Sequence, residues 1–428
     1  MHDISHTVPQ HLVGRTRAIA SVAILFVVVF FNTLDRMLIA VLIEPIKADL
    51  RLSDSEIGLA VGLLFAICYA GCSIPAARLA DRLDRPLLLA IFVSFWSMMT
   101  MMMATVNSFA ALALVRMGVG AGESGCHPTN HSLVSSYFGP ERRARVLGIV
   151  GAGGAFGVLF AMIAGGALAS VVGWRMTFLI MGAPGLLVAL LLWFILLEPR
   201  RMMHSDERPR PTPFTGSVKT LLQNPAFVWL TVAAVLCTGG SMGIATWLAA
   251  FFMRTYGMPV EMAGFWLGLV SGGAGAIGYV LGGYVSGNSL DPARTVRLPG
   301  FFIIVGGLAL TLPFLMPDWR LALLLLLPAT IVSNFWYSAV FATIQNVVLP
   351  ENRALASAVT LLAMGSLGNG LGPSLVGFLS DLFAPMAGHR SLLIALLVMA
   401  GWIVAGGCSL IMAYRALRRL GPVSLAGR

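Results

Sequence analysis

The sequence has 428 residues, of which 58% are hydrophobic and only 11% are charged. Soluble domains carry roughly 25% charged residues, so this composition excludes a water-soluble fold. The net charge of +10 does not indicate nucleic-acid binding, because the arginines punctuate apolar runs instead of clustering on one polar face. The chain is therefore predicted to be an integral membrane protein whose main environment is the lipid bilayer.

The apolar runs predict an all-α protein with twelve membrane-spanning helices, since one crossing of a ~30 Å hydrocarbon core takes roughly 20 apolar residues. The predicted spans are 18–43, 55–79, 86–106, 109–136, 144–171, 174–196, 226–253, 262–287, 298–316, 320–348, 354–382 and 391–414. Ser53 and Glu56 have the spacing of a capping box at the start of the second span, and Pro86 marks the start of the third.

The loops predict the orientation of the chain in the membrane. With twelve spans both termini share a side, and Lys and Arg are concentrated in the loops on that side, which places both termini in the cytoplasm. The longest loop contains the run PRPTP and is predicted to be a flexible cytoplasmic linker. We therefore expect an N-terminal six-helix bundle (1–197), a linker (198–225) and a C-terminal six-helix bundle with a short tail (226–428).

The two halves of the sequence resemble each other. The run PERRA at 140–144 recurs as PENRA at 350–354, and the glycines at 58 and 62 recur at 264 and 268. The two offsets, 210 and 206 residues, nearly agree, and each match lies in the corresponding loop or helix of its half. This pattern favours an internal duplication of six helices, which is how the major facilitator fold is built.

The loop after the second span reads ARLADRLDR at 77–85 and resembles the major facilitator signature G-x-L-a-D-r-x-G-r, with Asp84 in place of the second glycine. The equivalent stretch of the second half, GYVSG at 283–287, keeps the first glycine and lacks the acid. The resemblance implies a one-sided lock of the cytoplasmic gate, in which the Asp81 carboxylate lies near the start of the eleventh helix. The predicted gating residues are Asp81, Arg82, Arg85, Arg142 and Arg353.

A more specific resemblance rests on TLDR at 33–36, on Arg116-x6-Glu123-Ser124 and on GPxxVGxxSD at 372–381. This combination resembles the Spinster family and its bacterial members. The Asp-Arg and Arg-x6-Glu elements also occur in the anion:cation symporter family, which includes sugar-acid importers. The drug-antiporter motif of the fifth helix is degenerate here. The resemblance implies a secondary transporter of the major facilitator fold, which is not an enzyme and needs no cofactor.

Four charged side chains fall inside predicted spans: Asp35, Arg36, Arg116 and Glu123. Each costs at least ~2.5–3.5 kcal/mol near the bilayer centre, so such residues face the protein interior and are functional by default. Asp35 and Arg116 are predicted to pair across the first and fourth helices. Movement of an arginine toward or away from either carboxylate would change its proton affinity, as proton coupling requires. The alternative is a static charge pair that holds the two helices together.

Arg116, Glu123 and His127 lie on one stripe of the fourth helix, which is predicted to line a central cavity. A packed, hydrogen-bonded interior side chain is the alternative for His127. In the second half, candidates for the opposite wall are Trp247, Trp336, Tyr337 and Gln345. No cysteine or carboxylate accompanies the histidines at the spacing of metal ligands, so no metal site is predicted.

These patterns together predict a monomeric, proton-coupled transporter of the Spinster type in a bacterial inner membrane. Asp35 and Glu123 would carry protons, and Arg36 and Arg116 would hold the acidic head of an organic anion or a lysolipid-like amphiphile. The alternatives are an importer of small carboxylates such as sugar acids and a multidrug efflux pump. An enzyme would need a nucleophile–base or metal constellation and a channel would need a filter loop, and the sequence contains neither pattern.

Overall fold

The computed structural model describes residues 15–198, 218–286, 292–348 and 352–426. At a few positions within these ranges, including Asp81, only the backbone is described. All regular structure in these ranges is helical. Most of the predicted linker, Gly287 of the second-half stretch and Pro350 and Glu351 of the repeated loop lie outside the described residues. We refer to residues 15–198 as the first half and to residues 218–426 as the second half.

The first half contains six helical segments. They are α1 (Arg15–Leu50), α2 (Asp54–Leu59, Ala60–Leu64 and Phe65–Arg82), α3 (Arg85–Met102), α4 (Phe109–Glu123 and Cys126–Tyr137), and α5 (140–172) and α6 (174–195), which Gly173 separates. Ser53 and Glu56 form the predicted capping box at the start of α2: the Glu56 N–H donates to Ser53 Oγ and the Ser53 N–H donates to the Glu56 carboxylate. The Asp84 side chain accepts from the Leu87 N–H and caps α3.

The second half repeats this organisation after a short helix, Val218–Leu222. Its segments are α7 (Pro225–Tyr256), α8 (Val260–Ser286), α9 (Pro292–Ala309 and Thr311–Leu315), α10 (Trp319–Ser333 and Trp336–Val347), α11 (Arg353–Ala363, Met364–Gly368 and Asn369–Ala387) and α12 (Ser391–Ala426).

Nine stretches of the described residues are long and apolar enough to cross a membrane. Two of them, 141–195 and 355–419, far exceed the length of one crossing, and each contains a glycine with positive φ: Gly173 at 77° and Gly388 at 55°. A left-handed backbone breaks a right-handed helix, so each stretch holds two helical segments. The segment α4 is not among the nine. Unlike α10, it carries the charged side chains Arg116 and Glu123, which lower its hydropathy.

The fourth segments of the two halves have the same construction. Both α4 and α10 consist of a 15-residue helix, a two-residue break and a 12-residue helix. They begin at Phe109 and Trp319, which are 210 residues apart, the same offset as that of the repeated loop. The internal repeat predicted from the sequence therefore extends to the backbone.

The repeated glycines lie where the two halves touch. A Cβ on Gly62 of α2 would lie 2.5 Å from the carbonyl oxygen of Gly370 in α11, and a Cβ on Gly264 of α8 would lie 2.3 Å from the carbonyl oxygen of Met162 in α5. Real side chains do not tolerate such distances, so glycine is required for these backbones to approach. The contacts α2–α11 and α5–α8 thus join the halves symmetrically.

A π turn at Ala60–Leu64 adds hydrogen bonds to the α2–α11 contact. The wider turn leaves the Leu63 N–H free of the ordinary helical pattern, and it donates to Ser374 Oγ at 2.9 Å. The Ser374 hydroxyl lies 2.9 Å from the carbonyl oxygen of Gly58 and can donate to it. One serine of the second half is therefore bound to two backbone groups of the first.

Charged residues cluster at the end of the molecule where α1 and α7 finish, which we call the closed end. Arg254 of α7 binds Asp54 at 2.6 and 2.7 Å and Glu44 at 2.6 and 2.8 Å. Lys47 donates to Asp54 at 2.6 Å, and Asp54 is almost fully buried. Within the part of the chain that the structure describes, every ion pair between the halves lies at this end.

We predict that Gly62→Ala destabilises the protein by ~1–3 kcal/mol, because the added methyl group overpacks the α2–α11 contact. Gly71→Ala is the matched control, since a Cβ on this glycine of the same helix meets nothing within 4 Å. The control should leave the thermal unfolding temperature in detergent unchanged or slightly raised. Equal behaviour of the two variants would show that the close approach of these helices does not limit stability.

Candidate functional site

The candidate site is built around an ion pair between α1 and α4. Arg36 donates from Nε and Nη2 to Oε2 of Glu123, at 3.1 and 2.5 Å. The Glu123 side chain is 0% exposed, whereas that of Arg36 is 19% exposed. The carboxylate is therefore sealed inside the first half, whereas the arginine side chain that neutralises it retains some exposed surface. Oε1 of Glu123 has no hydrogen-bond partner among the described residues.

An aromatic platform on α2 holds the arginines of this site. The Arg36 guanidinium lies 5.0 Å from the ring centroid of Phe65 and 5.3 Å from that of Tyr69, and the Arg116 guanidinium lies 5.0 Å from Phe65. The two rings stack at 6.0 Å. Gly120 lets α4 approach, because a Cβ there would lie 2.6 Å from the Phe65 carbonyl oxygen. The ring faces attract both cations and lower the cost of burying them.

Asp35 and Arg116 are both about 1% exposed, and the predicted ion pair between them is not formed. Neither Asp35 oxygen has a hydrogen-bond partner, and Arg116 Nε and Nη2 also lack one, within the described residues. Both residues interact electrostatically with Glu123. A buried acid and a buried base thus share one charge cluster with the Arg36–Glu123 pair and attract each other without forming a hydrogen-bonded ion pair.

The break in α4 brings two histidines to a cavity. After the turn at Ser124 and Gly125, His127 and His131 are both exposed, with their ring centroids 6.4 Å apart. Polar side chains that face lipid are costly, so this exposed surface belongs to an internal cavity. His127 also interacts electrostatically with Arg36. The structure therefore brings His127 together with the ion pair, as its place on the α4 stripe predicts.

The same position in α10 carries aromatic side chains. His127 and His131 correspond, at the 210-residue offset, to Tyr337 and Phe341, whose ring centroids are 4.9 Å apart. Residues 126–130 and 336–340 show an identical sequence of buried and exposed positions, so Tyr337 faces the same central space from the second half. The two walls of the cavity thus differ in chemistry, one basic and one aromatic.

Of the three other residues predicted for the second-half wall, two are buried and the third is half-buried. Trp247 is fully buried and donates its indole N–H to the Pro373 carbonyl at 3.0 Å, because α7 packs tightly on α11. Trp336 is 2% exposed. Gln345 is half-buried and donates to Ser357 Oγ of α11 at 2.9 Å.

The predicted gating residues fall into two groups. Arg85 does not reach the second half: it is buried and binds the Glu198 carboxylate together with the hydroxyls of Ser132 and Ser136 at 2.9 and 2.8 Å. It therefore braces α3, α4 and the end of α6, and Glu198 belongs to the first half and not to the linker. The others are exposed at helix ends: Arg82, Arg142 and Arg353. The Asp81 side chain lies outside the described residues, so its gating role stays a prediction.

Several residues of the site carry no sequence signal that could have identified them. Phe65 and Tyr69 resemble any other aromatic pair in an apolar span, and only their contacts with the two arginines distinguish them. Glu198 follows the last apolar run of the first half, where an acid usually marks a loop.

We predict that Phe65→Leu destabilises the protein by ~1–3 kcal/mol more than Phe178→Leu does, because only Phe65 contacts two guanidinium groups. Phe178 is an equally buried phenylalanine of the first half that packs against Trp174. Thermal unfolding of both variants in detergent measures the difference. If the two substitutions cost the same, the platform does not stabilise the arginines.

Comparison with known proteins identifies the family of this architecture. The model of the Major Facilitator Superfamily matches residues 25–373. The chain is 34% identical over 388 residues to an MFS-type efflux pump of Mycolicibacterium smegmatis, with 90% of both chains covered. It is 27% identical to protein spinster homolog 1 of Xenopus tropicalis, over 91% of this chain and 79% of the relative.

Solved structures agree with this assignment. A bacterial homolog of the human lysosomal transporter Spinster, in an inward-facing and unoccupied conformation, superposes with a TM-score of 0.85 and 27% identity, covering 95% of this chain and 98% of the other. The occupied inward-facing form gives a TM-score of 0.76. The chain therefore belongs to the Major Facilitator Superfamily of membrane transporters, and it is similar to Spinster proteins over most of its length.

Proposed function

We propose that this transporter couples the movement of an organic anion or amphiphile to the movement of protons, through Arg36, Glu123 and Asp35. The observation that carries the proposal is that Arg36 neutralises a fully buried carboxylate while its own side chain retains exposed surface. An anion that enters the cavity competes with Glu123 for the Arg36 guanidinium. No other cation is bound to the Glu123 carboxylate among the described residues.

Competition between the anion and Glu123 for Arg36 couples anion binding to proton binding. A carboxylate in a low-dielectric site that loses its guanidinium partner gains proton affinity, because burial disfavours the charged form. Anion binding at Arg36 and proton binding at Glu123 therefore favour each other. Asp35, which is buried and interacts electrostatically with Glu123, is the second proton-binding group. Arg116 is too deeply buried to touch a ligand in this conformation, so its role is to compensate the negative charges of Asp35 and Glu123.

The unequal walls of the cavity support an amphiphilic anion. Arg36 and His127 present a basic surface on one side, and Tyr337 and Phe341 present an aromatic surface on the other. A small carboxylate such as a sugar acid is the alternative, which the 27% identity to the probable L-galactonate transporter of Escherichia coli over 65% of this chain supports. Export, as by a multidrug efflux pump, is the other alternative, and the 34% identity to the MFS-type efflux pump of M. smegmatis supports the outward direction. Competition binding with a lysophospholipid, a sugar acid and a cationic drug separates the three.

We further propose a monomer with twelve crossings and both termini in the cytoplasm of a bacterial cell. The two longest apolar stretches each divide at a glycine, Gly173 or Gly388, which adds two crossings to the nine. The broken segment α4 adds the twelfth. In this orientation the closed end faces the periplasm. The similarity to an inward-facing structure supports the same arrangement.

Glu123→Gln is expected to abolish accumulation driven by a pH gradient in proteoliposomes while counterflow exchange stays measurable. The neutral amide imitates the protonated carboxylate and still permits alternation. Glu141→Gln, which neutralises an exposed acid at the start of α5, is the control and should retain accumulation. Normal gradient-driven accumulation by Glu123→Gln would exclude the coupling role.

Arg36→Ala is expected to weaken anion binding roughly 10-fold to 100-fold, since a charge-assisted hydrogen bond contributes about 1.5–3 kcal/mol. Arg145→Ala removes an exposed arginine of α5 that belongs to neither the proposed site nor the predicted gate, and it should leave anion binding unchanged. Titration calorimetry on the purified protein gives both affinities. Unchanged binding by Arg36→Ala would make this arginine purely structural.

A further inference from the structure

The carboxylate of Asp381 joins the two halves of the molecule without using a cation. Asp381 lies near the end of α11, and its oxygens accept from the backbone N–H groups of Asp54 at 3.2 Å and Ser55 at 2.7 Å. These N–H groups are in the first turn of α2, where helical donors have no partner within the helix. A negative charge is stabilised there by the helix macrodipole.

The residues around Asp381 fit this contact closely. A Cβ on Gly377, one turn earlier in α11, would lie 2.1 Å from the carbonyl oxygen of Asp54, so glycine is required for the approach. The Ser380 hydroxyl donates to Oδ2 of Asp54 at 2.6 Å. The sequence G-x-x-S-D of α11 therefore brings its serine and its aspartate to the start of α2.

The helices α2 and α11 run antiparallel, which makes their contact reciprocal. Gly58 lies against Pro373, whereas Gly62, farther along α2, lies against Gly370, earlier in α11. Asp381 follows the first residue of α11, Arg353, by 28 residues, and Asp81 follows the first residue of α2, Asp54, by 27. At ~1.5 Å per residue each aspartate lies about 40 Å from the start of its own helix, and Asp381 thereby reaches the start of α2.

We propose that Asp381 holds the closed end shut by capping α2, and that it alternates with Asp81, which caps α11 when the opposite end closes. Rocking of two rigid halves closes one end as it opens the other, so one cap forms in each orientation. The expected one-sided lock thus has a counterpart, which lies on α11 and not in the stretch 283–287.

The test measures the closed end directly, without substrate or a proton gradient, so its outcome is independent of the proposed coupling through Glu123. Spin labels are placed at Asn107 and Met386, exposed residues of the two halves at this end, in a background without the five native cysteines. Pulsed electron–electron resonance in nanodiscs then gives the populations of short and long distances. In the spin-labelled protein that carries no gate substitution, we expect the short distance to predominate.

Asp381→Asn should raise the ratio of the long-distance to the short-distance population about 2-fold to 30-fold, the range for the loss of a helix-capping side chain. Asp381→Glu keeps the charge and should restore most of the short-distance population. Asp49→Asn is the matched control: it removes another carboxylate at this end, which pairs with Arg175 inside the first half, and should change nothing. Asp81→Asn should shift the distribution the opposite way, toward the short distance.

Two results would overturn the proposal. One is an unchanged distribution in Asp381→Asn in protein that retains its thermal unfolding temperature. The other is an equal shift in Asp381→Asn and Asp49→Asn, which would reflect a general effect of lost charge at this end. If Asp381→Asn is unstable, Asp381→Glu decides: a predominantly long distance in stably folded Asp381→Glu would rule out the charge as the lock.

Discussion

The cost of an unpaired charge inside a membrane is the constraint on which this structure depends. Glu123 is sealed from solvent, and Arg36 reaches it from a neighbouring helix across a distance of 2.5 Å. Removal of one member of such a pair leaves a buried charge, which costs several kcal/mol. The glycines of α4, the aromatic platform of α2 and the break after Glu123 all bring groups to this pair. A ligand that competes for Arg36 therefore acts on the most strongly constrained point of the first half.

The internal repeat explains how one site can have two kinds of wall. The halves share the broken fourth segment at an offset of 210 residues, so α4 and α10 present equivalent positions to the centre. At those positions the first half has Arg116, Glu123 and His127, and the second half has Leu326, Ser333 and Tyr337. Duplication supplied the geometry, and substitution then confined the charges to one side.

Local and periodic signals predicted much of the fold. The capping box at Ser53 and the internal repeat are properties of one helix or of a fixed spacing. The structure confirms the capping box and extends the repeat to the backbone. Of the predicted stripe on α4 only His127 is exposed, whereas Arg116 and Glu123 are buried. Partner choice could not be predicted in the same way. Arg36, and not Arg116, binds Glu123, because the relative rotation and depth of α1 and α4 decide which guanidinium lies within hydrogen-bonding distance of the carboxylate. For the same reason Arg85 pairs with Glu198, and Trp247 packs on α11 and not in the cavity.

Proton uptake during anion binding tests the shared use of Arg36 most directly. An organic anion that binds the unmodified protein and not Arg36→Ala is titrated into the purified transporter in weakly buffered solution near neutral pH, with a pH-indicating dye. If the anion displaces Glu123 from Arg36, the protein takes up close to one proton per anion bound, and Glu123→Gln binds the anion without uptake. Anion binding with no uptake, or with release of protons, would contradict the proposed coupling.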